Sequence, residues 1–163
     1  MKMKLVIYGG GADLSNILTG REVISALATK IRAGFSTTEI QAIYKDTPVE
    51  NILKPCIFLN LVNIIQTPLM RNRANRNYMI DIIVTGSDDN TELYTWYTEI
   101  AEKLYTIIDK IIIDNKPIRL IRGESTIENN ELHLITTYNF DIIKQTDDEV
   151  IKMQTRKFEG RVI

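Results

Sequence analysis

Apolar and polar positions alternate most clearly between Pro55 and Asp109. Two runs there, Ile57–Gln66 and Tyr78–Thr85, are rich in Ile, Val, Leu, Phe and Tyr. Such residues favour a pleated, half-buried surface, so both runs are predicted strands of one long hairpin. In the second, Ile80, Ile82 and Val84 share a face, and Asp81, Ile83 and Thr85 share the other. In the first, Phe58, Asn60 and Val62 fall on one face. Thr67–Asn77, with Pro68, is predicted as the connecting loop, and Gly86-Ser87-Asp88-Asp89-Asn90 ends the second strand. The period then changes. Leu93, Tyr97, Ile100, Leu104 and Ile108 recur every three or four residues, the apolar stripe of a helix.

Upstream, Thr19 followed by Glu22 makes a capping box that starts a first helix. Its stripe is Ile24, Leu27, Ala28 and Ile31, and Gly34 is a natural stop. Ile40–Tyr44 reads as a short strand ended by Asp46-Thr47-Pro48, and Val49–Leu53 as a connector or helical turn. Leu5–Tyr8 reads as a further short strand, broken by Gly9-Gly10-Gly11. Downstream, Ile111–Ile113 leads to a turn at 114–117, then a strand over Ile118–Arg122. Gly123–Asn130 is polar and turn-like, and Asn129-Asn130 suits a tight hairpin. The last strand is long. Leu132, Leu134, Thr136, Tyr138, Phe140 and Ile142 lie on one face, His133 and the other odd positions through Ile143 on the other. Strands and helices do not alternate in the βαβ manner. The expected fold is α+β: a mainly antiparallel sheet of four or five strands with two helices packed on one face. Residues 1–18 are expected to form an N-terminal arm, 19–145 the domain, and 146–163 a C-terminal tail.

The 163 residues suffice for one core, and 44% apolar with 25% charged content is ordinary for a globular chain. A net charge of −1 argues against a dedicated nucleic-acid binder and does little to resist self-association. No apolar run approaches the roughly 18–20 residues of a membrane span, and the N-terminal apolar run is too short for a signal sequence. A single cysteine, Cys56, permits no intrachain disulfide and reads as a buried structural thiol. A cytosolic site of synthesis is therefore expected.

Candidate chemistry is sparse. His133 is the only histidine, so no zinc cluster is available, and it reads as a polar-face strand residue. Asp88-Asp89-Asn90 lacks the ligand spacing of a calcium loop and reads as a helix cap. Tyr8–Asp13 follows a strand with glycines but contains neither a complete GxGxxG nor a Gly-Lys-Ser/Thr, so a nucleotide-binding enzyme is the rival class. No catalytic, metal or cofactor set is expected. Arg71, Arg73 and Arg76 are open to three readings: a solvated loop, a protein contact through bidentate pairing, or a DNA contact. Tyr94 points away from the helix stripe and Trp96 lies near its edge, and such aromatics serve as interface anchors when exposed. Lys152, Arg156, Lys157 and Arg161 surround Met153 and Phe158 in a tail that can order on a partner.

A family resemblance joins these pieces. Pro55-Cys56-Ile57-Phe58-Leu59, then Arg73 and Arg76 before Tyr78-Met79-Ile80-Asp81-Ile82, then Ala101-Glu102-Lys103-Leu104-Tyr105, Leu120-Ile121-Arg122-Gly123, Leu132-His133-Leu134 and Tyr138-Asn139-Phe140 occur in this order. Together they resemble tail terminator (tail-completion) proteins of phages and prophages of Gram-positive bacteria and of contractile phage-tail-like bacteriocins. Met1–Leu18 and Val150–Ile163 look like additions to the short form. The resemblance implies a non-enzymatic structural role in virion assembly. A homo-oligomeric ring, typically a hexamer, would sit as a collar on the head-proximal end of the tail tube. It would stop tube polymerisation, engage the sheath in contractile tails, and offer the neck attachment where a capsid is present. Expected partners are further copies of the chain, the tube protein, the sheath protein and a neck connector, with no membrane and no specific nucleic acid. Assembly would occur in the host cytoplasm. The nearest alternative is another head–tail adaptor of similar fold.

Overall fold

The computed structural model describes residues 3–5, 19–45, 50–70 and 73–144. In chain order the elements are β1 (Met3–Leu5), α1 (Gly20–Gly34), β2 (Ala42–Tyr44), β3 (Cys56–Pro68), β4 (Arg73–Thr85), α2 (Leu93–Ile108), β5 (Lys110–Ile113), β6 (Lys116–Glu128) and β7 (Glu131–Lys144). The fold is α+β. The sheet runs β2-β3-β4-β7-β6-β5, with β1 added to β7, so it has seven described strands rather than four or five. It is mixed, because β2 runs parallel to β3 while every other pair is antiparallel. The extra strands are short ones and the first residues of β6, which pair through an Asp114-Asn115 turn with both residues at positive φ.

Alternation decides the faces. Every even residue of β7 from Leu132 to Ile142 is buried, as are Ile80, Ile82 and Val84 on β4 and Ile57 and Leu59 on β3. They form one core with Val23, Leu27 and Ile31 of α1 and Tyr97, Ile100, Leu104 and Ile108 of α2. β5 also touches α1, so the sheet curls around the helix layer. The two helices approach closely at Gly34, where an added Cβ would stand 2.3 Å from Ile107 Cδ1.

Three expectations are corrected. Thr67–Asn77 is not a loop: β3 and β4 stay paired to Pro68 and Ala74, and Leu69 N–H donates to the Arg73 carbonyl to close the turn. Residues 123–128 are not a turn but half of β6, paired with β7 down to Glu128 opposite Glu131. The cap of α2 is not the acidic run. Glu92 is the N-cap and makes no side-chain cap bond, Asn90 Oδ1 accepts from Glu92 N–H (2.9 Å), and Asp88 pairs with Lys54 (2.9 Å).

The capping box at the start of α1 is formed: Glu22 N–H donates to Thr19 Oγ1 and Thr19 N–H to Glu22 Oε2. Past its end, Glu39 takes hydrogen bonds from Lys103 of α2 (2.6 Å) and from Ser36 N–H (3.0 Å). Lys103 chiefly, then Ser36, holds the Glu39 carboxyl down from the usual 4.5 to about 2. A depressed carboxylate stabilises the fold above its unfolded pKa, and that contribution is lost as pH falls from about 4.5 towards 2. Both side chains are more than a third exposed, so screening leaves the pair at most about 1 kcal/mol. Thermal melts of Glu39→Gln against the parent should differ slightly at pH 6 and converge only as the pH falls to about 2 and below. An undiminished gap at about pH 1.5 would remove the ion pair as its cause.

Candidate interaction surface

The site is built from the far half of β3, where that strand forms an edge of the sheet past its short pairing with β2. Cys56–Leu59 are buried, whereas every residue from Leu61 to Met70 is exposed. Leu61, Val62, Ile64, Ile65, Leu69 and Met70 are 39–87% accessible. From Asn60 to Met70 the chain has no charged residue. β2 pairs with β3 only at Cys56–Phe58, so among the described strands none covers the outer edge of β3 from Asn60 to Pro68. Natural edge strands are protected by charge, proline or cover, and an uncharged apolar edge is a template for pairing. A groove of about 800 Å³ runs beside this edge, lined by Gly20, Arg21, Ile24, Ser25, Lys45 and Leu61.

A bulge at Val62 swaps the faces of β3. Leu61 opposes Ile80 on the helix side, but Asn63 opposes Met79 on the outer side. The face expected to carry Phe58, Asn60 and Val62 therefore breaks at Val62. β6 has its own bulge at Ile121, next to Thr137, which pairs with Met79. Both bulges thus fall on one row of the sheet. Ile65, Met79, Ile121 and Ile135 line a depression of about 450 Å³ on the outer face beside that row. Around it the face is polar. Asn75 donates to Asn139 (2.6 Å) and Asp141 (2.8 Å), and His133 Nδ1 lies 3.0 Å from Asp81 Oδ2. Asp81 Oδ1 is buried without a hydrogen-bond partner.

The sequence candidates do not converge. Arg73 and Arg76 are on β4, half-buried, rather than in a loop. Arg76 donates to Gln66 Oε1 across the hairpin (2.6 and 3.1 Å) and to the Tyr78 hydroxyl (3.3 Å), so it pins the two strands. Tyr94 is 60% exposed on α2, near Asn130. Trp96 is half-buried against the core, with its ring 5.3 Å from that of Tyr97. Arg76 opposes Phe140, whereas Tyr94 sits by the start of β7, roughly 30 Å away at strand rise. Arg71, Lys152, Arg156, Lys157, Arg161 and the Tyr8–Asp13 loop lie outside the described residues. What the sequence reading did not single out is the exposed apolar set on β3. Its signal is the absence of charge over 60–70.

Cys56 is buried, and burial chiefly pushes its thiol above the ordinary range, against a nucleophilic role. Among the described residues no His, Cys, Asp and Glu group is placed to hold a metal, and no helix is long and apolar enough to cross a membrane.

A family model described as "Phage tail terminator protein" matches residues 22–150. No curated protein matches the sequence. Among solved structures, a chain of the virion of a native gene transfer agent particle is 11% identical, with 74% of this chain and 94% of that chain covered. It superposes with a TM-score of 0.50, a likeness of fold. A second solved chain is 7% identical, with 80% of this chain and 100% of that one covered, at a TM-score of 0.39.

Proposed function

This chain belongs to the phage tail terminator family, and we propose that it forms a ring, a hexamer, that caps the head-proximal end of a phage-like tail tube. The ring ends tube polymerisation, meets the last sheath ring where the tail contracts, and presents the neck or head attachment surface where there is a capsid. It acts by contact, without catalysis. Its partners are copies of itself, the tube protein, the sheath protein and a neck connector. It assembles in the host cytoplasm and stays in the collar.

The observation that carries this reading is the exposed far half of β3. An edge strand that holds Leu61, Val62, Ile64 and Ile65 in water costs solubility unless a partner covers it. A heterologous contact that closes on itself supplies that cover in every subunit at once. Arg71, Arg73 and Arg76 belong to the same hairpin, and we place them at its contact with the tube or the next subunit. Tyr94 and the basic residues Lys152, Arg156, Lys157 and Arg161 are placed at outer contacts.

The test is the double change Ile64→Asp, Ile65→Asp. Both side chains are about half exposed, so the melting temperature should move by no more than a few degrees. Ring formation, read by native mass spectrometry, and capping, read as tail length by electron microscopy, should both be lost. Tails of normal length capped by normal rings would overturn the assignment.

A further inference from the structure

β1 pairs antiparallel with the end of β7, Met3 opposite Lys144, Lys4 opposite Ile143 and Leu5 opposite Ile142. That edge of β7 is open for a reason visible in β6. β6 follows β7 from Glu128, opposite Glu131, to Leu120, opposite Tyr138, and bulges at Ile121. Its first residues, Lys116–Arg119, pair instead with β5. β4 holds the other edge of β7 as far as Ile143, opposite Arg73. β1 therefore occupies a strand site that β6 leaves vacant. β1 also lies before residue 22, where the family match begins.

Thirteen residues, 6–18, join β1 to Thr19 at the start of α1, and they include Gly9-Gly10-Gly11. Extended, they reach at most about 45 Å. A chain of this length has a radius of gyration of roughly 15 Å, so the arm exceeds the width of one subunit.

We propose that β1 is exchanged between copies: β1 of one subunit completes the β7 edge of the next. The ladder is the same three residue pairs whichever chain supplies the strand, so exchange forfeits no hydrogen bond. Three residues make few such bonds, each of modest net worth, so the strand opens readily from its own chain. Donor and acceptor are different surfaces, so the contact runs head to tail, the kind that closes into rings. One tie at every interface then adds to the hairpin contacts without new area, through effective concentration. The inference rests on the ring reading above for the spacing of the subunits.

The test uses cysteines at the opposed positions Lys4 and Ile143, with Cys56→Ala to leave no other thiol. Rings mixed from Lys4→Cys and Ile143→Cys chains should give disulfide-linked dimers on non-reducing gels. Rings of the double variant should give covalent multimers up to the whole ring. Deleting residues 1–5 should raise the concentration for half-assembly at least tenfold. Intact rings in which the double variant links only within its own chain, or links nowhere, overturn the exchange and leave the ring reading standing. Intact rings of unchanged affinity after the deletion do the same. A parent protein that makes no ring alone or on tubes overturns both.

Discussion

Leu104→Ala is expected to cost about 2–5 kcal/mol of folding free energy. Leu104 is fully buried at the centre of the α2 stripe, between Tyr97, Ile100 and Ala101 on one side and Ile108 on the other. Truncation removes its transfer free energy and leaves a cavity, which the close approach of α1 at Gly34 gives little room to collapse. A domain of this kind has a total stability of about 5–15 kcal/mol, so the change takes a large share. Urea denaturation at protein concentrations below ring assembly is the measurement, since oligomers would add their own stabilisation. Tyr94→Ala, three residues before Tyr97 on the same helix but facing solvent, should stay within about 0.5 kcal/mol of the parent. A loss below about 1 kcal/mol for Leu104→Ala would mean that α2 does not seal the core.

That contrast on one helix shows what the sequence makes legible. Where a helix or strand has one face in the core, period alone assigns burial: Tyr97, Ile100, Leu104 and Ile108 on α2, and each even residue of β7. The capping box at Thr19 is legible because both of its bonds are local. The pattern fails where polar residues outnumber the buried ones. Arg73, Asn75, Arg76 and Asn77 look like loop residues, yet Ala74 and Tyr78 between and after them are buried, the ladder with β3 continues and Gln66 meets Arg76 across it. Gly123 misleads in another way. It suggests a turn, but it lies in a strand where an added Cβ would stand 2.7 Å from Tyr105 Cε1, so packing is the reason for it. The bulge at Val62 is equally silent, since one extra residue changes faces without changing composition. The interaction surface was half legible for the same reason. Arginines draw attention as charges, whereas the eleven uncharged residues from Asn60 to Met70 matter only once the edge is seen to be bare.

Tyr97→Phe should cost about 1–3 kcal/mol at pH 7, although it removes a single oxygen. The Tyr97 ring is fully buried, and its hydroxyl joins two backbone groups that nothing local satisfies. It accepts from Gly86 N–H (3.0 Å), where β4 ends, and donates to the Asn130 carbonyl (2.5 Å) in the β6–β7 turn. Phenylalanine fills the same space but leaves that donor and that acceptor unpaired, and the start of α2 loses its tie to both strand ends. Burial, chiefly, also raises the phenol pKa above its ordinary value of 10. A group whose folded pKa is raised contributes stability that is complete below the unfolded pKa and lost as pH rises towards the folded one. The gap between parent and Tyr97→Phe should therefore be largest near neutrality and narrow above about pH 10, where the unfolded phenol ionises and the folded one does not. Urea denaturation at pH 7 and at pH 10.5 measures both numbers. A gap below about 0.5 kcal/mol at pH 7 would show that water takes over both backbone groups. A gap that does not shrink at pH 10.5 would show that the phenol is less protected than its burial implies.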